Sequence, residues 1–172
     1  MAAGYPFEVI PPAEAAECGI CSGETPAQLV ARLAYQKAAD VVRQLGRGLV
    51  LGCDTVAECR GQILGKPADQ AHARAMLTTL SGQEHRVLSG LCLWPAPEGP
   101  PVVRVAVTTL RMDPLTAEQL DEYLAGGEWE GKAGAFGYQD GLDWVHVVEG
   151  SESNVVGLPI ELLAEMVRPY CE

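Results

Sequence analysis

Basic residues are scarce in this chain, with 12 Lys and Arg against 23 Asp and Glu and a formal net charge of −11 at pH 7. That balance excludes broad binding to a nucleic-acid polymer or an anionic membrane, because both demand a basic surface. An anionic small molecule would have to be met by a local cluster of cations or by a metal ion. Long apolar runs are missing as well: none approaches the roughly 20 residues that span a bilayer, and the N-terminus lacks a basic region followed by an apolar stretch. The expectation is a soluble, cytoplasmic protein. Histidine is sparse, and His72, His85 and His146 stand apart with no metal-ligand spacing. Ser151 has no nucleophile motif around it.

Cysteine is present without a framework. Cys18, Cys21, Cys53, Cys59, Cys92 and Cys171 are scattered through a chain of 172 residues, long enough to fold without covalent staples, so free thiols are expected. Cys18-Gly19-Ile20-Cys21 is a single C-x-x-C with neither a second pair nor nearby histidines, and it reads as an ordinary loop. With 48% hydrophobic residues the chain can bury one good core. It is read as a single domain over residues 1–172, or a tightly fused pair of lobes.

The element pattern alternates strands and helices. Phe7 to Ile10 reads as a short strand closed by Pro11-Pro12. Thr25, with Pro26 at the first helical position and Gln28 three residues on, opens a helix that runs to Leu45 and stops at Gly46. Gly48 to Gly52 is a wholly apolar strand that reads as ending at Asp54, and Val56 to Leu64 as an excursion returning to Gly65-Lys66-Pro67. Asp69 caps a second helix to Leu80. Arg86 to Trp94 and Val102 to Met112 make a hairpin around the proline loop Pro95 to Pro101. Thr116 and Gln119 form another capping box for a helix ending at Gly126-Gly127. Short strands follow near Ala135 to Tyr138 and Trp144 to Val148, then a Gly-Ser-Asn loop and a final helix opened by Pro159. The fold class is α/β, a mixed sheet flanked by helices.

Three residues look chemical on their own. Lys37 falls inside the apolar stripe of the first helix, with Val30, Leu33, Ala34, Val41 and Leu45, so it must either snorkel to water or meet an anion. Asp54 follows a buried strand, where a carboxylate can hold a metal or activate water, although a turn former reads equally well. Lys66 sits on a loop constrained by Gly65 and Pro67, where a solvated lysine is the ordinary outcome. The glycine-rich segments at 131–141 and 150–157 could bring backbone amides to a phosphate.

Taken in order, the blocks LAYQKA (33–38), LGCDTV (51–56), GQILGKP (61–67), LSGQEHRV (80–87), GKAGAFGYQD (131–140) and GSESNVVGLP (150–159) resemble the Maf-like nucleoside triphosphate pyrophosphatases, from Phe7 onward. The resemblance implies a twisted mixed sheet in two lobes around a nucleotide cleft, often a homodimer. It also implies cleavage of a nucleoside triphosphate between its α and β phosphates with a divalent metal, Mg²⁺ or Mn²⁺. By the same resemblance Asp54 is the proton acceptor and a metal ligand, and Lys37 and Lys66 bind phosphates. Thr55 and Gln139 mark the branch acting on dTTP and UTP. A glutamine amide can both donate to and accept from a pyrimidine edge.

The family's opening strand and S-x-S-P-R-R block have no counterpart before Phe7, which carries the expectation of a weakened phosphate site. Glu14 and Glu17 both remain candidates for the acidic pair near the metal, and Glu17 is taken as the ligand. The last block has Gly131 where aspartate is usual and Asp140 where glycine is usual. A second reading, a catalytically weak regulatory homologue linked to septum formation, stays open, as does a related enzyme clearing deaminated purine triphosphates.

Overall fold

The computed structural model describes residues 4, 6–13 and 23–171. Among them five strands form one sheet in the order β2-β1-β3-β4-β5, with β1 Gly48–Cys59, β2 Gln62–Leu64, β3 Glu84–Ala96, β4 Val102–Met112 and β5 Val145–Glu149. The helices are α1 Pro26–Leu45, α2 Gln70–Leu80, α3 Ala117–Gly126, α4 Glu152–Val156 and α5 Ile160–Val167. No helix of the described residues is long and apolar enough to cross a membrane. The α/β class is that expected from the sequence. The sheet is antiparallel, because short hairpins and helical returns bring each strand back against its neighbour's direction.

The chain divides into two compact units. One holds Met1–Asp54, Ser89–Ala106 and Ile160–Glu172; the other holds Thr55–Leu88 and Val107–Pro159. The strands β1, β3 and β4 contribute residues to both. In the first unit α1 lies on the sheet through Ala34, Ala38, Val50 and Cys92, with Tyr35 stacked on Trp94 at 5.5 Å between ring centroids. The second unit has the larger core, built from α2, the ends of β1, β3 and β4, and the buried Phe136.

Local chemistry sets the helix ends. The Gln28 N–H donates to Thr25 Oγ1, the Gln28 side chain accepts from the Thr25 N–H at 2.9 Å, and Gly46 closes α1 at φ 73°. Asp69 accepts from the His72 N–H, and Thr116 with Gln119 repeats the capping box at α3.

Four expectations change. Residues 6–13 hold no strand: Pro6, Pro11 and Pro12 remove amide donors, and Phe7 and Val9 are exposed, so pairing would bury nothing. β1 does not end at Asp54 but runs on to Cys59 and turns directly into β2, with Ala57 opposite Leu64. Ala135 to Tyr138 form two 3₁₀ turns, Ala133–Ala135 and Tyr138–Asp140, because Gly134 and Ala135 take positive φ of 71° and 64°, which no ladder accepts. The Gly-Ser-Asn loop contains α4, capped by Ser151 accepting from the Asn154 N–H.

Candidate functional site

Val50, Gly52 and Asp54 alternate onto the face of β1 that meets α1, while Leu49 and Leu51 point the other way and stay partly exposed. Gly52 permits an unusually close approach: a Cβ there would lie 2.9 Å from the Ala38 amide nitrogen and 3.0 Å from the Ala38 Cβ. Helix backbone therefore rests directly on strand backbone. Asp54 lies two residues further along the same face, and there Lys37 Nζ reaches its Oδ1 at 2.7 Å. Their side chains are only 22% and 13% exposed. The lysine in the apolar stripe has met an anion, and the half-shielded pair is a strong charge-assisted hydrogen bond.

The second unit carries Thr55, Lys66 and Gln139. Thr55 Oγ1 donates to the Gly157 carbonyl at 3.3 Å, tying β1 to the end of α4. Lys66 is exposed, and the Gly65 carbonyl before it accepts from the Gly134 amide at 3.0 Å. That bond links the lysine loop to the first 3₁₀ turn of the segment carrying Gln139. Gln139 is exposed in the next turn, and its side chain has no partner among the described residues. The structure thus joins Lys37 to Asp54, and the Lys66 loop to the Gln139 segment.

Several supporting residues had no signal in the sequence. Glu58, buried on β1, is met by Arg86 Nε at 2.8 Å and by the Gly61 amide, which pins the β1–β2 turn that leads to Lys66. Asn154, fully buried, donates to the Val87 carbonyl at 3.1 Å and to Thr108 Oγ1 at 2.9 Å. Thr108 also accepts from the Ser151 amide at 3.1 Å, so the GSESN block is fastened to β3 and β4 by one asparagine. Lys132 forms an ion pair with Asp140.

For a metal, no group of three or more His, Cys, Asp or Glu side chains among the described residues is arranged to hold an ion. Asp54 is the candidate ligand that the structure describes, whereas Glu14, Glu17, Cys18 and Cys21 lie outside the described residues. Cys53, Cys59, Cys92 and Cys171 are free thiols, and burial pushes that of Cys92 up to about 11.

His85 is a buried histidine rather than a ligand. It is 3% exposed, neither ring nitrogen has a hydrogen-bonding partner among the described residues, and its ring meets Phe136 edge-on at 5.4 Å. Burial lowers its pKa to about 4; the Gln83 backbone and the Glu58 charge pull weakly the other way, and neither gives the ring a properly placed bond. An unfolded chain would take up this proton near pH 6.5, so stability should fall as pH drops from 6.5 towards 4 and then level off, by about 3 kcal/mol for a shift of this size. Melting temperature followed from pH 7 to 5 in the wild type and in His85→Phe tests this. The variant's profile should be flatter; parallel profiles would remove His85 as the cause.

The fold is an α/β protein with a carboxylate paired to a lysine on a strand of its sheet. Comparison with known proteins narrows that class. A family model described as Maf-like protein matches residues 1–170, and the chain belongs to that family. It is 56% identical over 170 residues to a protein of Rhodopirellula baltica named dTTP/UTP pyrophosphatase, covering 98% of this chain and 75% of that one. Proteins of the same name from Alcanivorax borkumensis and Ruminiclostridium cellulolyticum are 43% and 39% identical, with 95% and 97% of this chain covered and 84% and 86% of theirs.

Proposed function

We propose that this chain is a nucleoside triphosphate pyrophosphatase that hydrolyses dTTP and UTP to the monophosphate and pyrophosphate. The observation that carries the reading is the 2.7 Å Lys37–Asp54 pair, immediately before Thr55, in a chain whose relatives bear that activity in their names. Asp54 accepts the proton of the attacking water as its oxygen bonds to phosphorus. The P–O bond between the α and β phosphates breaks, and pyrophosphate leaves with the electron pair. Lys37 and Lys66 neutralise phosphate oxygens, which is most of what phosphoryl transfer asks of a protein.

Mg²⁺ or Mn²⁺ fits this donor set, since such ions are commonly held by one or two carboxylates together with substrate phosphates and water. Asp54 would supply one carboxylate, Glu17 is the candidate for a second, and the ion would add charge neutralisation at the phosphates. The reaction belongs in the cytoplasm, where its triphosphate substrates are.

Thr55 and Gln139 set base choice. Pyrophosphate release measured over a panel of nucleotides with Mg²⁺ or Mn²⁺ should show dTTP and UTP preferred over ATP and GTP by at least about 10-fold in kcat/KM, because a site that hydrogen-bonds a base edge rejects a mismatched edge. Gln139→Ala should shrink that ratio. Equal values for pyrimidine and purine nucleotides would refute the assignment, and nucleotide binding without turnover would favour the regulatory reading.

A further inference from the structure

We propose that the Lys132–Asp140 ion pair is a positioning clamp for Gln139, so that pyrimidine selectivity depends on two charges that do not themselves touch the base. The inference rests on the reading of this chain as a dTTP/UTP pyrophosphatase. Lys132 stands just before the first 3₁₀ turn and Asp140 closes the second, so their contact, between residues eight apart, ties the two ends of this span into a ring. The pair crosses the bare backbone of Gly137: a Cβ at that position would fall on both Lys132 Nζ and Asp140 Oδ2, and only 2.8 Å from Asp140 Cγ.

The span is fixed from several other sides. The Gly137 amide donates to Tyr123 Oη at 3.3 Å, the Asp140 amide donates to the Gly137 carbonyl at 3.0 Å, and Tyr138 Oη donates to Glu152 Oε1 at 3.0 Å. Phe136 is buried against the His85 ring. Gln139, next to Asp140, is the exposed side chain this ring presents. With 25% and 21% of their side chains exposed, Lys132 and Asp140 lie at the surface but are less solvated than a free surface pair. Those bonds hold Gly137, Tyr138 and the Asp140 amide, whereas the ion pair is the tie between the two ends of the span, and without it the turn that carries Gln139 loses that tie and its side chain gains freedom.

The test measures kcat and KM for dTTP and ATP in wild type, Asp140→Asn, Lys132→Met, the conservative Lys132→Arg, and the charge-swapped double variant Lys132→Asp/Asp140→Lys. The two neutralised variants should lower the dTTP/ATP ratio of kcat/KM about 10-fold, chiefly by raising KM for dTTP, with kcat on ATP within about twofold of wild type. Lys132→Arg should keep the ratio, and the swap should recover part of it. Should a neutralised variant fail to fold, the Lys132→Arg and swap results still decide: loss of selectivity in Lys132→Arg, or no recovery in the swap, refutes the clamp. A selective wild type with equally selective Asp140→Asn and Lys132→Met overturns this inference alone. A wild type without pyrimidine preference overturns both it and the functional reading beneath it.

Discussion

Asp54→Asn is expected to reduce pyrophosphate release by about 10²-fold or more while the protein stays folded. Asparagine keeps the volume of the side chain, and its Oδ1 can still accept from Lys37 Nζ, so the contact between β1 and α1 at 2.7 Å is preserved in kind. What disappears is the charge and the capacity to take a proton from water. Lys37 is left 22% exposed beside a neutral partner, which costs some stability, but the solvent that still reaches it limits that cost. Pyrophosphate release and thermal unfolding measured on the same preparation separate the two effects. Retention of more than a tenth of wild-type turnover would show that Asp54 is not the proton acceptor.

The parts of this molecule legible in the sequence are those set by neighbours along the chain. α1 was readable to the residue because Thr25, Pro26, Gln28 and Gly46 act through their own backbone turns. Periodicity flags Lys37, but whether it snorkels or pairs depends on Asp54 of β1, seventeen residues away, and periodicity has no access to that. The run of β1 past Asp54 is hidden for a related reason: a glutamate at position 58 reads as solvated, and it is Arg86 on β3 together with the Gly61 amide that makes its burial tolerable. Ala135 to Tyr138, within the GKAGAFGYQD block, reads as a short strand in the sequence. Its actual course is decided by the positive φ at Gly134 and Ala135 and by a pair eight residues apart, a spacing that belongs to neither helix nor strand. Family likeness identified Thr55 and Gln139 without saying what holds them in place.

Gly52→Ala should be a severely damaging single-methyl change, and it should damage activity as well as stability. The added Cβ would meet the Ala34 carbonyl oxygen, the Ala38 amide nitrogen at 2.9 Å and the Ala38 Cβ at 3.0 Å. Two of these are backbone atoms of a capped, twenty-residue helix and cannot swing aside as a flexible side chain would. The helix must lift from β1 or the strand must bend. Overpacking of this kind costs about 1–3 kcal/mol, and with backbone as the obstacle the upper end applies. For a chain of this length that corresponds to a fall in melting temperature of roughly 6–12 °C. Lifting α1 also draws Lys37 away from Asp54, whose contact lies on the same face of β1 two residues beyond Gly52. Turnover at a temperature where the variant remains folded should therefore fall at least about 10-fold, since misplacement by an ångström can cost far more than that. A variant that melts early yet turns over normally when folded would show that the close seating of α1 on β1 serves stability alone and does not set the Lys37–Asp54 geometry.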